Sequence, residues 1–87
     1  MREDHQREVL LRIGLLGNEE SAPWQAFREA LRELGYVEGR NVTIESRWSE
    51  GLTDRLPSLA MELVRLKPDV IVASGTQAVR AAKRSTR

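Results

Sequence analysis

The sequence predicts an α/β fold: a β-α-β-α-β-α unit in three layers, with a parallel sheet in the order 2-1-3. Segments 9–16 and 70–73 are apolar at almost every position, as in parallel strands buried on both faces. Segment 42–48 alternates apolar and polar residues, which is typical of a half-exposed edge strand. Segments with helical periodicity separate these strands, so parallel pairing with right-handed crossovers is expected.

The first strand is followed by an amphipathic helix, predicted at 22–34. Ser21 is a candidate cap for this helix, and Pro23 fits its first turn, where the backbone N–H groups lack partners. Apolar side chains then recur at three- and four-residue steps and form one helical stripe, made of Trp24, Phe27, Leu31 and Leu34. Gly35 supplies the left-handed residue that ends the helix.

The second half of the unit repeats this alternation. In the strand at 42–48, one face carries the apolar residues Val42, Ile44 and Trp48. A second helix is predicted at 53–67 from its leucine-rich stripe, and it ends before Pro68 because the residue preceding a proline avoids the helical region. The strand at 70–73 leads into a third helix, of which 77–83 is predicted to be the opening. The first helix should cover one face of the sheet and the second helix the other.

Composition excludes several classes of function. The 87 residues carry 14 Lys or Arg against 13 Asp or Glu, a net charge of +1, which argues against a general nucleic-acid binder. There is no cysteine and a single histidine, His5, so disulfides, thiolate or multi-histidine metal sites and a Ser-His-Asp triad are not expected. Most catalytic classes are therefore not expected. Our expectation is a non-enzymatic protein without cofactor or metal. No apolar run reaches the length of a membrane helix.

The chain is expected to divide into a disordered charged leader at 1–8 and one α/β segment at 9–87. The leader has no apolar core of the kind that marks a signal peptide. At the other end, the last eight residues contain four cations and no acid, namely Arg80, Lys83, Arg84 and Arg87. This basic end is suited to contact with an acidic surface, but a solvated helix face explains it equally well.

The strand order predicts where a ligand binds. In open parallel sheets, ligands lie beyond the carboxyl ends of the strands, where the direction of winding reverses. That point falls between the first and third strands, so loops 17–21 and 74–77 should meet there. Gly75 allows close approach to the backbone, and a Ser or Thr hydroxyl at a helix start lies beside unpaired N–H groups that suit an anionic or polar group. The alternative is that Ser74 or Thr76 only caps the helix.

Trp48 ends the edge strand near this edge of the sheet. It is a candidate wall of a binding cleft, although its phase with Val42 and Ile44 also fits a position in the core. The chain contains neither a Gly-x-Gly-x-x-Gly fingerprint nor a Walker loop, so nucleotide binding of those two kinds is not expected.

Four stretches of the chain resemble the amino-terminal part of substrate-binding proteins of ATP-binding-cassette (ABC) transporters. They are FREALRELGYVEGRNVTIE at 27–45, RWSEG at 47–51, RLPSLA at 55–60 and DVIVASGT at 69–76. The run LGYVEGRNV is the most specific of them, and the resemblance spans about residues 10–84. It is to the subfamily that includes proteins annotated for tryptophan or tyrosine uptake.

This resemblance implies a periplasmic-binding-protein fold of the first type, in which two lobes close on a small polar solute such as an amino acid. It implies delivery to an ABC permease and a periplasmic or otherwise extracytoplasmic location. It also implies that the chain is an incomplete first lobe, because members of the family are several times longer. By position, the ligand contacts of the family's first lobe fall on Gly17, Asn18, Ser74, Gly75 and Thr76, and Gln77 adjoins them.

Two alternatives come from other classes of protein. One is a self-contained small α/β domain for interaction or oligomerisation, in which the third strand pairs with a partner chain. The other is an enzyme domain of flavodoxin-like type, opposed by the absence of the acid cluster and lysine that such phosphate-transfer domains carry. Because the strand at 70–73 is apolar on both faces and lacks a fourth strand beside it, we expect a homodimer that associates through this strand and the helix at 77–84.

Overall fold

The computed structural model describes residues 10–86, and the predicted leader at 1–8 lies outside them. Three strands alternate with three α-helices, in the order β1 (Leu11–Gly17), α1 (Ala22–Glu33), β2 (Val42–Trp48), α2 (Leu56–Arg65), β3 (Val70–Ala73) and α3 (Thr76–Thr86). One turn of 3-10 helix, Thr53–Arg55, leads into α2.

The sheet is parallel and has the order β2-β1-β3, which confirms the predicted fold class and strand order. Leu11 pairs with Val42 at the start of β1, and Gly17 pairs with Trp48 at its end. On the other side of β1, Leu16 pairs with Ala73 at the end of β3. All three strands therefore finish at the same edge of the sheet, where the loops that follow them come together.

Helix α1 covers one face of the sheet. Its Trp24, only 6% exposed, belongs to a buried cluster with Ile13, Leu15 and Val42. Phe27 and Leu31 pack against this cluster one and two turns further along the helix. The predicted stripe is therefore confirmed for these three helical residues. Leu34, which we expected to continue the stripe, is 74% exposed because the helix ends at Glu33.

Helices α2 and α3 lie together on the opposite face. Their buried residues form a second cluster around Leu16, which contains Leu56, Leu59, Ala60, Leu63, Ala78 and Ala81. A Cβ atom on Gly14 of β1 would be 3.2 Å from a methyl group of Leu63, so the glycine allows α2 to approach the sheet closely. Since β1 is covered on both faces and paired on both sides, it forms the centre of the fold.

Several element boundaries differ from those predicted. β1 runs from Leu11 through Gly17 rather than over 9–16, because Gly17 still pairs with Trp48. The segment predicted as one helix at 53–67 is a 3-10 turn followed by α2, and α3 starts at Thr76 and extends to Thr86. Ser21 occupies the N-cap position of α1 as predicted, but its side chain forms no capping hydrogen bond.

Candidate functional site

The loops after β1 and β3 follow two strands that are hydrogen-bonded to each other. The backbone N–H of Ser74 donates to the carbonyl oxygen of Leu16 at 3.0 Å, one residue beyond the last register pair of these strands. The two predicted ligand-side loops therefore lie next to each other at the carboxyl edge of the sheet. We call this region, formed by residues 17–18 and 74–77, the switch-point edge.

The β3–α3 loop is fully on the surface. Ser74, Gly75, Thr76 and Gln77 are all exposed. Gly75 has φ +99°, in the region that favours glycine, and its carbonyl oxygen accepts the N–H of Val79 at 2.9 Å as α3 begins. This sharp turn sets the first turn of α3 directly after the end of β3.

The hydroxyl groups of Ser74 and Thr76 form no hydrogen bond with any residue between 10 and 86. The alternative that either residue only caps α3 through its side chain is therefore not realised in the described chain. The two exposed hydroxyls thus lie beside the unpaired N–H groups of the first turn of α3. Together these groups can donate several hydrogen bonds to one anionic or polar group.

Asn18 connects the first of these loops to the loop after β2. Its Oδ1 accepts hydrogen bonds from the N–H of Gly51 at 2.5 Å and from the Oγ of Ser49 at 3.2 Å. Its backbone carbonyl accepts the N–H of Glu50 at 2.7 Å. The Nδ2 group has no hydrogen-bond partner within the described residues, so the donor side of this amide remains open to a ligand.

Gly17 is buried beneath two aromatic rings. A Cβ atom at this position would lie 3.2 Å from two atoms of the Trp24 indole and 3.3 Å from an atom of Trp48. The backbone carbonyl of Gly17 accepts the N–H of Ser49 at 2.9 Å. The absence of a side chain at Gly17 thus allows the two tryptophans to pack against its backbone. That Gly17 contacts a ligand stays a prediction.

Trp48 is half-buried and packs on the first core cluster. Its ring centroid is 5.4 Å from that of Trp24, and the two ring planes are tilted by 51°. The packing agrees with the core position that its phase allows, while its remaining exposed part stands at the end of β2 next to Gly17. Its role as a cleft wall stays a prediction.

Ser49 and Gly51 were not identified as site residues by the sequence. Ser49 is the one buried polar side chain among residues 10–85, at 4% exposed, and Gly51 has φ +86°. Their pairing with Asn18 brings a third loop to the switch-point edge. The only sequence signal for it is a polar and glycine-containing segment directly after an edge strand, which is common to most strand ends.

One acid of the first loop, Glu20, is held by an ion pair. Glu20 forms an ion pair with Arg28 of α1 at 2.5 Å, and Arg28 also donates to the Oγ of Ser46 on β2 at 3.2 Å. These contacts fix the loop against β2. The described part of the chain contains no group of three or more His, Asp or Glu side chains placed to hold a metal ion. Nor does any helix in that part have the length and apolar character needed to cross a membrane.

Comparison of the chain with models of known protein families, with curated protein sequences and with solved structures finds no match. The resemblance to ABC substrate-binding proteins therefore stays a prediction, and function has to be argued from the geometry of the switch-point edge.

Proposed function

We propose that this chain is a solute-binding module that captures a small polar solute at its switch-point edge without converting it chemically. The observation that carries the proposal is the pair of unbonded hydroxyls, Ser74 and Thr76, at the start of α3. They lie next to the β1 loop, where the Nδ2 group of Asn18 is also without a partner among residues 10–86. Exposed donors without an internal partner at a strand switch point are what a polar ligand requires.

An amino acid suits these donors. Its carboxylate would accept hydrogen bonds from the N–H groups in the first turn of α3 and from the Ser74 and Thr76 hydroxyls, with support from the helix dipole. Asn18 would orient a second polar group of the solute. The partly exposed Trp48 offers an apolar surface at the end of β2 for a side chain, especially an aromatic one.

We infer the wider role from the sequence resemblance together with the fold. In that role the chain is the first β-α-β-α-β-α part of a lobe, a second lobe closes over the solute, and an ABC permease receives it in an extracytoplasmic compartment. A β-α-β-α-β-α unit with its ligand edge at β1 and β3 supports this role because it is the unit from which such lobes are built.

The test is a titration of the isotopically labelled chain with L-tyrosine and L-tryptophan, followed by amide chemical shifts. We expect millimolar binding with shifts confined to 17–18, 48–51 and 74–78. Thr76→Val combined with Ser74→Ala should abolish these shifts, because the first replaces a hydroxyl by a methyl group of similar size and the second removes a hydroxyl. Ser58→Ala, an exposed hydroxyl on α2, is the matched control and should change nothing.

Shifts that are absent, that fall elsewhere, or that survive the double substitution would refute the proposed site. We prefer hydroxyl removal to Gly75→Val as the test. No heavy atom lies within 4 Å of a Cβ on Gly75, but φ +99° strains any branched side chain there and would perturb the loop itself.

The exposed edge of β3 supports a second candidate function, self-association. β3 pairs with β1 and with no other strand of the described chain, and its Val70 is 45% exposed. A depression of about 550 Å³ beside this edge is lined partly by Val79 and Ile71. An apolar strand with a free edge is a template for pairing, so we propose a homodimer in which two β3 strands join across a two-fold axis and each α3 flanks the junction.

Sedimentation velocity at micromolar concentration tests this dimer. Val70→Lys places a charge on the β3 edge and should yield a monomer. Val37→Lys is the matched control, because Val37 is similarly exposed, at 40%, but precedes β2 at the other edge of the sheet, and this variant should remain dimeric. A monomeric unsubstituted chain would exclude self-association through β3.

A further inference from the structure

Helices α2 and α3 enclose a second surface feature, which shares only Gln77 with the switch-point edge. An open groove of about 750 Å³ runs between them, lined by residues of the two helices and of the 3-10 turn and by no strand residue. We call it the α2–α3 groove. Leu56, Met61, Val64 and Ala81 form its apolar part. Met61 is 51% exposed, although its side chain is one that normally prefers burial.

Three arginines line the groove: Arg65 on α2, and Arg80 and Arg84 on α3. All three are exposed, and none forms an ion pair with another described residue. Asp54, in the 3-10 turn, is the only acid in the lining. α3 contains no acidic residue at all. The groove therefore combines an apolar floor with an excess of unpaired positive charge.

The spacing of the arginines on α3 and the length of the groove fit a helical partner. Arg80 and Arg84 are four residues apart, so they lie on one side of α3, about 6 Å apart along its axis. From Gln77 to Arg84 the groove follows α3 for about 10 Å, the length of two helical turns. Because its floor is apolar and its walls are two helices, a third helix can lie in it with an apolar stripe inward.

The described helices of a second copy of this chain do not supply the complementary charge. α3 has only cations, α1 carries two Glu and two Arg, and α2 carries one Glu and one Arg. No described helix of the chain thus presents an excess of acids beside an apolar stripe. A helix with that pattern would therefore have to come from a different protein.

We propose that the α2–α3 groove docks an amphipathic helix of a partner protein whose flanks are acidic. Leucine or methionine side chains of that helix cover Met61 and Val64, and its carboxylates pair with Arg65, Arg80 and Arg84. The three arginines lie outside the switch-point edge, so docking at the groove does not depend on solute binding. The apolar floor supplies the surface area that is buried on binding, while the arginines favour a partner helix with negative charge.

The probe is a stapled model helix that carries leucines along one stripe and glutamates on both flanks. Companion helices keep the leucines and replace the glutamates by glutamine or by lysine. We expect the glutamate helix to bind about tenfold more tightly than the glutamine helix, the product of three exposed ion pairs worth about two- to threefold each. Its affinity should fall as salt is raised, and the lysine helix should not bind measurably.

Charge reversal at the groove tests whether the model helices bind at this surface. The double variant Arg80→Glu, Arg84→Glu should lose the glutamate helix and gain the lysine helix. Arg32→Glu is the control, because Arg32 is exposed on α1 at the opposite face of the sheet, and this variant should bind as the unsubstituted chain does. All substituted positions are exposed, and circular dichroism checks that the variants remain folded.

Equal binding of the three model helices, or binding that survives the double variant, would show that charge does not select the occupant and would overturn the proposal. So would the absence of binding to any helix. Dimerisation that survives Val70→Lys but is lost in the double variant would assign the groove to a second copy instead, and would also overturn the proposal.

Discussion

Trp24 lies so close to Gly17 that a Cβ atom on the glycine would be 3.2 Å from two atoms of the indole. The glycine at the end of β1 thereby makes room for a tryptophan that begins the following helix. Trp48, from the neighbouring strand, approaches the same point to 3.3 Å. A single residue without a side chain thus allows two aromatic rings to close the core directly beneath the candidate ligand edge.

Gly17→Ala should destabilise the protein by about 1–3 kcal/mol, because the added methyl group must displace the buried ring of Trp24 or the half-buried ring of Trp48. Urea unfolding followed by tryptophan fluorescence measures this change. Gly14→Ala is the matched control, since its Cβ would meet a methyl group of Leu63 at 3.2 Å, and a leucine end shifts more easily than an indole. An equal or larger loss at Gly14 would contradict the role given to the tryptophans.

Asn18→Ala should cost about 1 kcal/mol, because it leaves the Gly51 N–H and the Ser49 hydroxyl without their acceptor. The amide of Gly51 should then exchange faster with solvent. Asn18→Asp retains the acceptor oxygen and should preserve most of the stability. If both variants are as stable as the unsubstituted chain, Asn18 does not hold the β2–α2 loop.

Gly75→Ala should destabilise the protein by about 1–2 kcal/mol through its backbone alone. The space around a Cβ at this position is open, while φ is +99°. Gly75→Asn should cost less, since asparagine tolerates positive φ better than alanine does. Unfolding midpoints in urea give the comparison, and an alanine variant of unchanged stability would show that the turn relaxes freely.

Amide exchange should be slowest in β1, over residues 11–16, and faster in β2 over residues 43–47. The central strand is hydrogen-bonded on both sides and covered by helices on both faces, whereas β2 is an edge strand. Exchange measured by mass spectrometry or by amide signals tests this ranking. A more slowly exchanging β2 would be inconsistent with the sheet order described here.

The alternation of segments and their apolar patterns predicted the strand order because each strand carries its own signature of burial. The segment 9–16, which is apolar on both faces, contains most of the central strand. The alternating segment 42–48 is an edge strand with its predicted bounds. The candidate loops 17–21 and 74–77 could be predicted for the same reason, since parallel strands end at one edge of the sheet. Their contacts could not be.

What the sequence by itself determined was therefore the type of each element, its apolar face, the strand order and the edge at which the loops meet. Only the tertiary structure decided which groups are used internally and which stay free. Asn18 turned out to hold the loop of Ser49 and Gly51, and Gly17 to accommodate Trp48, while the hydroxyls of Ser74 and Thr76 were left without a partner in the described chain. Hydrogen bonds and close packing between residues some thirty positions apart depend on how the elements dock, and no local pattern encodes that distance.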